Sequence, residues 1–394
     1  MPTSSPTTPP PHPALVSLHG AVDAVRHLEG CLTFPLNVND APSAAPLSAT
    51  SPPRPTAFLL ADAYEHDWEA LTKQLRRLVD QTHPDSERPA SEAGDTHVSK
   101  TKSNKNSFGD GRTVLLDWNA SHRPPPSTNA SPALSSSQQQ HDSGDVELLF
   151  FFLQRLAESF LAATHVATPS SKDTTASRTH TAVPTATPPA KTKAQLQTED
   201  IVEPIFVYGC AVASNLASLV AGRTRNRQQP SEKSGGGVHA ADGTVRLTTT
   251  AALDTTQEES LVALGNTVWA FAIAVTRLYR TEKRLLHLLL SALSNMACWP
   301  ALEVDADTCA FIYELISPFY TSYSMVAAWV TLLVNLTAVH GAATVPTLLQ
   351  LGVVADVERL SLSVSPSESA TTERLVVHSL QLLSNVATYV FAAD

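Results

Sequence analysis

The fold of this chain is decided by a short recurring segment whose clearest copy reads TLLVNLTAV, from Thr331 to Val339. Each copy places an asparagine after a mixture of large and small apolar residues and before an apolar–small pair. The other copies are AVASNLASL (Ala211–Leu219), LSALSNMAC (Leu290–Cys298) and LQLLSNVAT (Leu380–Thr388). The sequence therefore contains an internal repeat marked by Asn215, Asn295, Asn335 and Asn385.

The spacing of these asparagines is typical of helical repeats. Asn295 and Asn335 are 40 residues apart, close to the period of two- or three-helix repeats. The step from Asn335 to Asn385 is 50 residues, and the Ser-rich insertion SVSPSESATT accounts for the surplus. The step from Asn215 to Asn295 is 80 residues, of which a low-complexity insertion at about 223–256 takes up a large part.

Apolar residues recur at helical spacing between these insertions, and no stretch of the repeat region alternates as a strand does. We therefore predict an all-α fold. Asp305 or Asp307 is expected to cap one helix, Pro318 to end or kink it, and Thr371 or Thr372 to start the last one. Thr256 and Glu259 suit a capping box before another helix. The short run TVLLDW, at 113–118, fits either a strand or a helical turn.

The segment TLLQLGVVADVERLSLS, from Thr347 to Ser363, gives the repeat a family likeness. A Leu-Leu-x-x-Gly start leading into an apolar helix, followed by VVHSLQLLSNVA, resembles the armadillo-repeat family. The likeness is best over 335–387, with a second match at 308–338; it is weaker over 201–297 and absent from 1–145. HEAT-like or other α-superhelical repeats remain an alternative. The resemblance implies a right-handed α-superhelix, an α-solenoid in which each repeat covers its neighbour's apolar face.

Armadillo proteins that bind peptides use third-helix asparagines to hydrogen-bond the backbone of an extended segment. The resemblance therefore implies binding roles for Asn295, Asn335, Asn385 and Asn215. Importin-type members also carry a tryptophan four residues before each asparagine. This chain has Ala211, Ser291, Thr331 and Gln381 at those positions, so we do not expect a nuclear-signal groove.

The low-complexity segments divide the chain into regions, because segments without apolar periodicity cannot bury enough surface to offset their ordering entropy. We predict a helical N-terminal region, a repeat region and several disordered segments. The predicted division is a tail at 1–12, a helical region at 13–167 with insertions at 39–56 and 81–144, a linker at 168–199, and repeats at 200–394 interrupted at 223–256.

Charge sets an expectation about partners. The 394 residues carry a net charge of -10, and no Lys or Arg occurs from Leu285 to Glu358. A surface of this kind disfavours phosphate groups, so we expect no nucleic-acid binding. It favours a neutral to basic protein partner, either an extended peptide or a helix. The oligomeric state is left open.

No enzyme motif is present: the chain lacks GxxxxGK, GxSxG, HExxH and GxGxxG, and we expect no catalytic residue, cofactor or metal. The most apolar stretch, Leu261–Val275, has only 15 residues, which favours a buried helix over a membrane span. Together with four scattered cysteines, this predicts a cytoplasmic protein, with nuclear, cytoskeletal or flagellar sites as alternatives. The expected function is a non-enzymatic binding scaffold; the alternative is a structural subunit whose repeats serve packing only.

Overall fold

The fold was taken from a computed structural model that describes residues 10–32, 64–84, 110–122, 144–166, 193–228, 255–363 and 369–393. Within these ranges the chain is mostly α-helical and contains no strand, which confirms the predicted all-α class for this part of the chain. One short 3₁₀ turn lies at Ser317–Phe319.

Twelve α-helices occupy the described ranges, and we number them in chain order. They are α1 (Pro13–Leu32), α2 (Glu65–Thr82), α3 (Gly111–His122), α4 (Asp145–Val166), α5 (Lys193–Gln228), α6 (Thr255–Leu278), α7 (Lys283–Met296), α8 (Ala306–Glu314), α9 (Tyr323–Val339), α10 (Gly341–Gln350), α11 (Val353–Ser363) and α12 (Ala370–Ala393).

Several helix boundaries differ from the sequence predictions. The ambiguous run TVLLDW is helical, since it lies within α3, and α3 in turn lies inside the insertion predicted at 81–144. Helix α5 begins at Lys193 and ends at Gln228, so it extends into the predicted linker on one side and into the insertion at 223–256 on the other. Of the predicted tail, linker and insertions the structure also describes 10–12, 81–84, 110, 144 and 255–256, and the other residues lie outside the described ranges.

The predicted helix ends are confirmed in part. Asp305 caps α8 by accepting a hydrogen bond of 2.6 Å from the backbone N–H of Thr308, and the chain turns at Pro318. Helix α12 starts one residue before Thr371, and its cap is Ser369, whose Oγ accepts from the N–H of Thr372. The side chain of Thr256 lies outside the described residues, so its predicted capping role remains a prediction.

Two buried tryptophans fasten consecutive helices to each other. The indole N–H of Trp299, just after α7, donates to the carbonyl of Leu261 in α6 at 3.0 Å. The indole N–H of Trp329 in α9 donates to the carbonyl of Ile312 in α8 at 2.9 Å. Gly265 makes the first contact possible, because a Cβ there would lie 2.6 Å from the indole nitrogen of Trp299.

The glycine of the Leu-Leu-x-x-Gly motif has a conformational role. Gly352 lies between α10 and α11 with φ of +85°, a backbone conformation that L side chains rarely adopt. Leu348 before it and Val353 after it are both buried. The motif therefore makes a sharp turn between two short helices and directs an apolar residue on each side into the core.

The length argument against a membrane span at Leu261–Val275 is wrong. Helix α6 has 24 residues, and its apolar stretch runs from Glu258 to Leu278, which is 21 residues long. The prediction that this helix packs in the core is nevertheless correct, since residues from Phe271 to Val275 are all buried. Its main contacts are with α4 and α7.

Candidate functional site

Five helices form a row in which each one contacts the next. Helix α2 packs against α5, α5 against α7, α7 against α9, and α9 against α12. Four of these helices, α5, α7, α9 and α12, carry the repeated asparagine segments. The row therefore places the four sequence-predicted binding residues on consecutive neighbouring helices.

Every predicted asparagine reaches back to the preceding helix of the row through its side-chain amide nitrogen, Nδ2. The bonds run from Asn215 to Thr82 Oγ1 at 3.1 Å, from Asn295 to Ser214 Oγ at 2.8 Å, from Asn335 to the carbonyl and Oγ of Ser294 at 2.8 and 2.9 Å, and from Asn385 to the Val334 carbonyl and Thr337 Oγ1 at 3.1 Å each.

These hydrogen bonds keep one register along the row. For three of the four asparagines an acceptor belongs to the residue directly before the asparagine of the preceding helix, namely Ser214, Ser294 or Val334. The same pairing of positions recurs because the helices are stacked with the same offset. We call this set of bonds the asparagine ladder.

The asparagines differ in the hydrogen-bonding groups that the ladder leaves unused. An amide nitrogen has two hydrogens, and the amide oxygen is a separate acceptor. Asn335 and Asn385 each contact two acceptors, so their donors are engaged. Asn215 and Asn295 each contact one acceptor, and Asn295 is exposed. A peptide unit therefore finds both a donor and an acceptor at Asn215 and Asn295.

An apolar groove of about 230 Å³ lies between α5, α6 and α7, and Asn215 lines it. Asn295 lies next to the lining, since it donates to the hydroxyl of the lining residue Ser214. Phe206, Cys210 and Leu289 contribute to its apolar lining, and Ser214, Asn215 and Ser291 supply its polar lining. Burial raises the pKa of the Cys210 thiol well above its usual range, so the thiol is neutral and acts as an apolar lining group.

Sequence reasoning missed the residue that opens this groove. Leu288 lines it and is 51 % exposed. The surrounding run, LLHLLLSALSNMA, is apolar nearly all round, which predicts complete burial. Leu288 shares its face of α7 with Arg284, Ser291 and Asn295, which are all exposed. This polar spacing is the signal that could have singled it out.

The charge at one end of the groove differs from that of the rest of the row. Two groove residues, Tyr279 and Leu285, bound the turn between α6 and α7 and the first residues of α7. This segment carries Arg280, Lys283 and Arg284 with one acid, Glu282. Beyond Leu285 the next base is Arg359. The groove is therefore basic at one end, and the surface from α8 to α11 is neutral to acidic.

A polar cluster away from the groove joins α8 to α11. The Tyr313 hydroxyl donates to Asp356, and Arg359 Nη2 donates to the other oxygen of that carboxylate at 2.6 Å. Burial and the neighbouring Asp356 carboxylate raise the pKa of the Tyr313 hydroxyl well above its usual range. The tyrosine is thus a permanent donor, and the cluster ties two helices together.

Two further properties of the described residues bear on function. No group of three or more His, Cys, Asp or Glu side chains in this part of the chain could hold a metal ion. Three helices are long and apolar enough to cross a membrane by length and composition, over Asp200–Gly222, Glu258–Leu278 and Ala370–Ala392. The first two stretches are about half buried against other helices, and the third is 22 % buried.

Comparison of the chain with models of known protein families, with curated proteins and with solved structures finds no match. The candidate site therefore has to be interpreted from its own geometry.

Proposed function

We propose that this protein is a non-enzymatic binding scaffold, built as an armadillo-like right-handed superhelix, that holds a segment of a partner protein along the row of α2, α5, α7, α9 and α12. The observation that carries the proposal is the apolar groove that Asn215 lines and that lies next to Asn295, the two asparagines with an unused amide hydrogen. The constant register of the asparagine ladder supports the superhelical arrangement.

Binding would combine one apolar anchor with backbone recognition. A large apolar side chain of the partner enters the groove and covers Leu288, which removes that leucine from water. The partner's backbone then passes the amides of Asn215 and Asn295, which supply a donor and an acceptor to its peptide units. The anchor gives affinity, and the amides fix the direction and register of the segment.

Charge defines the segment further. The basic turn at Arg280, Lys283 and Arg284 favours an acidic residue next to the anchor, while the neutral to acidic surface from α8 to α11 favours neutral or basic residues beyond it. A nucleic acid would need Lys or Arg side chains along the whole row to neutralise its phosphates, so we propose a protein partner. A cytoplasmic location is part of this proposal.

We propose that the three long apolar helices serve packing and assembly rather than membrane insertion. About half of the apolar stretch of α5 and of α6 is buried inside the described structure. Phe206 and Phe271 are examples, since they are buried and their ring centroids are 6.3 Å apart. Sodium carbonate extraction of a membrane fraction tests this point. The full chain should be released into the supernatant, and retention in the pellet would contradict the proposal.

Selection of peptides tests the binding function. Random twelve-residue peptides displayed on phage are selected on the immobilised full chain, with the Leu288→Glu variant as a parallel target. We expect enriched peptides to share one large apolar residue with an acidic neighbour. They should bind the Leu288→Glu variant at least about 10-fold more weakly, because the variant puts a charge into the apolar groove.

The matched control is Val339→Glu, because Val339 is 43 % exposed at the end of α9 and does not line the groove. This variant should bind the selected peptides as the unchanged chain does. Failure to enrich any common sequence, or equal binding to the Leu288→Glu variant, would contradict the proposed function.

A second candidate function is a structural subunit of a larger assembly. Two observations favour it: the donors of Asn335 and Asn385 are engaged in packing, and α12 exposes apolar side chains. The two functions differ in where a partner binds. A scaffold loses its partner when Leu288 changes, whereas a structural subunit loses it when the exposed face of α12 changes.

A further inference from the structure

Helix α12 has two opposite apolar faces, and the described structure covers only one of them. Leu375, Ser379, Leu382 and Val386 are buried, and on the same side the Nδ1 of His378 lies 2.7 Å from Thr331 Oγ1 in α9. This face fixes the helix to the row. At 100° per residue the side chains at 377, 380, 384, 387 and 391 lie about half a turn away.

The uncovered face forms a regular stripe. Val377 is 53 % exposed, Leu380 61 % and Phe391 79 %, and Ser384 and Ala387 between them are also exposed. Successive members are separated by three, four, three and four residues. This is the heptad spacing by which one helix packs along a second helix. We call these five residues the α12 stripe.

We propose that the α12 stripe pairs with the same stripe of a second copy of this chain, with the two helices antiparallel. The order of side-chain sizes argues for this orientation. The N-terminal half of the stripe carries the large Val377 and Leu380, and the next two positions are the small Ser384 and Ala387. An antiparallel pair centred near Ser384 sets Leu380 against the small Ala387 and Val377 against Phe391, whereas a parallel pair would set Leu380 against Leu380 and Ala387 against Ala387.

The charge within the stripe argues the same way. Glu373 lies one heptad before Leu380, so it continues the stripe toward the start of α12. A parallel pair would bring two Glu373 carboxylates together beside an apolar seam, which is unfavourable. In an antiparallel pair centred near Ser384 the two carboxylates lie at opposite, solvent-exposed ends, about 33 Å apart at 1.5 Å per residue.

The size of the stripe predicts a weak but specific dimer. From Val377 to Phe391 the stripe is about 21 Å long, and one such stripe covers less than the roughly 800 Å² per partner of a standard interface. We therefore expect a dissociation constant on the order of 10 μM. A lipid bilayer is a less suitable partner for the α12 stripe than a second copy of the chain, since the opposite face of α12 is packed against α9.

The mass of the full chain in solution tests the proposal. Size-exclusion chromatography with light scattering at about 100 μM should give the dimer mass, falling to the monomer mass on dilution. The Leu380→Glu variant should be monomeric at 100 μM, because two leucine contacts per dimer are lost and the dissociation constant rises at least about 100-fold. Leu288→Glu, a matched change at a leucine of similar exposure, should leave the dimer intact.

Cross-linking tests the orientation. In a background in which Cys31 and Cys298 are serine, Ser384→Cys lies near the two-fold axis and should form an intermolecular disulfide on mild oxidation. Ala370→Cys lies one heptad before Val377, so the two cysteines meet in a parallel dimer but are about 42 Å apart in an antiparallel one. It should not cross-link.

Three results would overturn the proposal: a monomer at 100 μM, a dimer that survives Leu380→Glu, or cross-linking of Ala370→Cys. A monomer that sediments with neutral phosphatidylcholine vesicles would identify a bilayer as the occupant and would also overturn it. Circular dichroism of each variant confirms that it is folded. The outcome is independent of peptide binding, since the groove at Leu288 and the α12 stripe lie on different helices.

Discussion

Replacement of Asn335 by alanine tests whether the asparagine ladder stabilises the row. Asn335 is half-buried, and its Nδ2 donates to both the carbonyl and the hydroxyl of Ser294. Each net hydrogen bond contributes about 0.5–1.5 kcal/mol, and alanine recovers about 0.5 kcal/mol because it has the higher helix propensity. For the two bonds together the expected loss in free energy of unfolding is therefore about 0.5–2.5 kcal/mol, with a middle value of about 1.5 kcal/mol.

The matched control is Asn295→Ala, at the equivalent position of the preceding repeat. Asn295 is exposed and makes a single bond, to Ser214 Oγ, so water replaces the lost partner and the expected change is within about 0.5 kcal/mol. Urea unfolding of the full chain, followed by tryptophan fluorescence, gives both values from the midpoint and slope. Equal stability of the two variants would refute the reasoning that Asn335 is a packing residue and Asn295 is not.

Three further predictions concern stability and reactivity. Gly265→Ala should destabilise the chain by about 1–3 kcal/mol in urea unfolding, because its Cβ would collide with the indole ring of Trp299. Gly222→Ala, where a Cβ meets nothing within 4 Å, should stabilise the chain by up to about 1 kcal/mol. A Gly265→Ala variant more stable than Gly222→Ala would contradict the close contact with Trp299. With a thiol-reactive disulfide at pH 8, part-exposed Cys298 should react before Cys210, whose burial raises its pKa, and equal rates would contradict that burial. Burial lowers the pKa of His340 below 6.5, so as the pH falls the unfolded chain takes up a proton at this position more readily than the folded chain does. The Tm should therefore fall when the pH is lowered from 7.5 to 5.5, and it should fall less in His340→Gln. An equal fall in both proteins would assign the effect to other groups.

Much of the fold follows from the sequence because helical periodicity and caps act locally. The cap at Asp305 and the turn at Gly352 depend on residues within one turn of chain, so they could be predicted. The helix α3 could not, since TVLLDW is too short for its period to be decided, and its helical state depends on contacts with α1, α4 and α6. The helical state of α3 is thus set by its neighbouring helices, whose positions the sequence alone does not give.

The candidate site was predictable only in outline. The repeat positions of the asparagines follow from spacing alone, but the direction of each amide depends on the offset between neighbouring helices. Asn295 and Asn335 have the same local sequence pattern, yet one makes a single exposed bond and the other two part-buried bonds. Leu288 was missed because the run as a whole is so apolar, although the polar residues at 284, 291 and 295 mark its face of α7 as the exposed one.

The central claim is that the row of helices binds a protein segment through the groove at Asn215 and Asn295. The most direct measurement is the fluorescence anisotropy of a selected, labelled peptide with the full chain and two variants. Asn295→Ala, which leaves stability nearly unchanged, should raise the dissociation constant about 5- to 10-fold. Asn335→Ala, which lowers stability, should change it less than about 2-fold. Unchanged affinity in Asn295→Ala would contradict the claim and leave the asparagines with a packing role only.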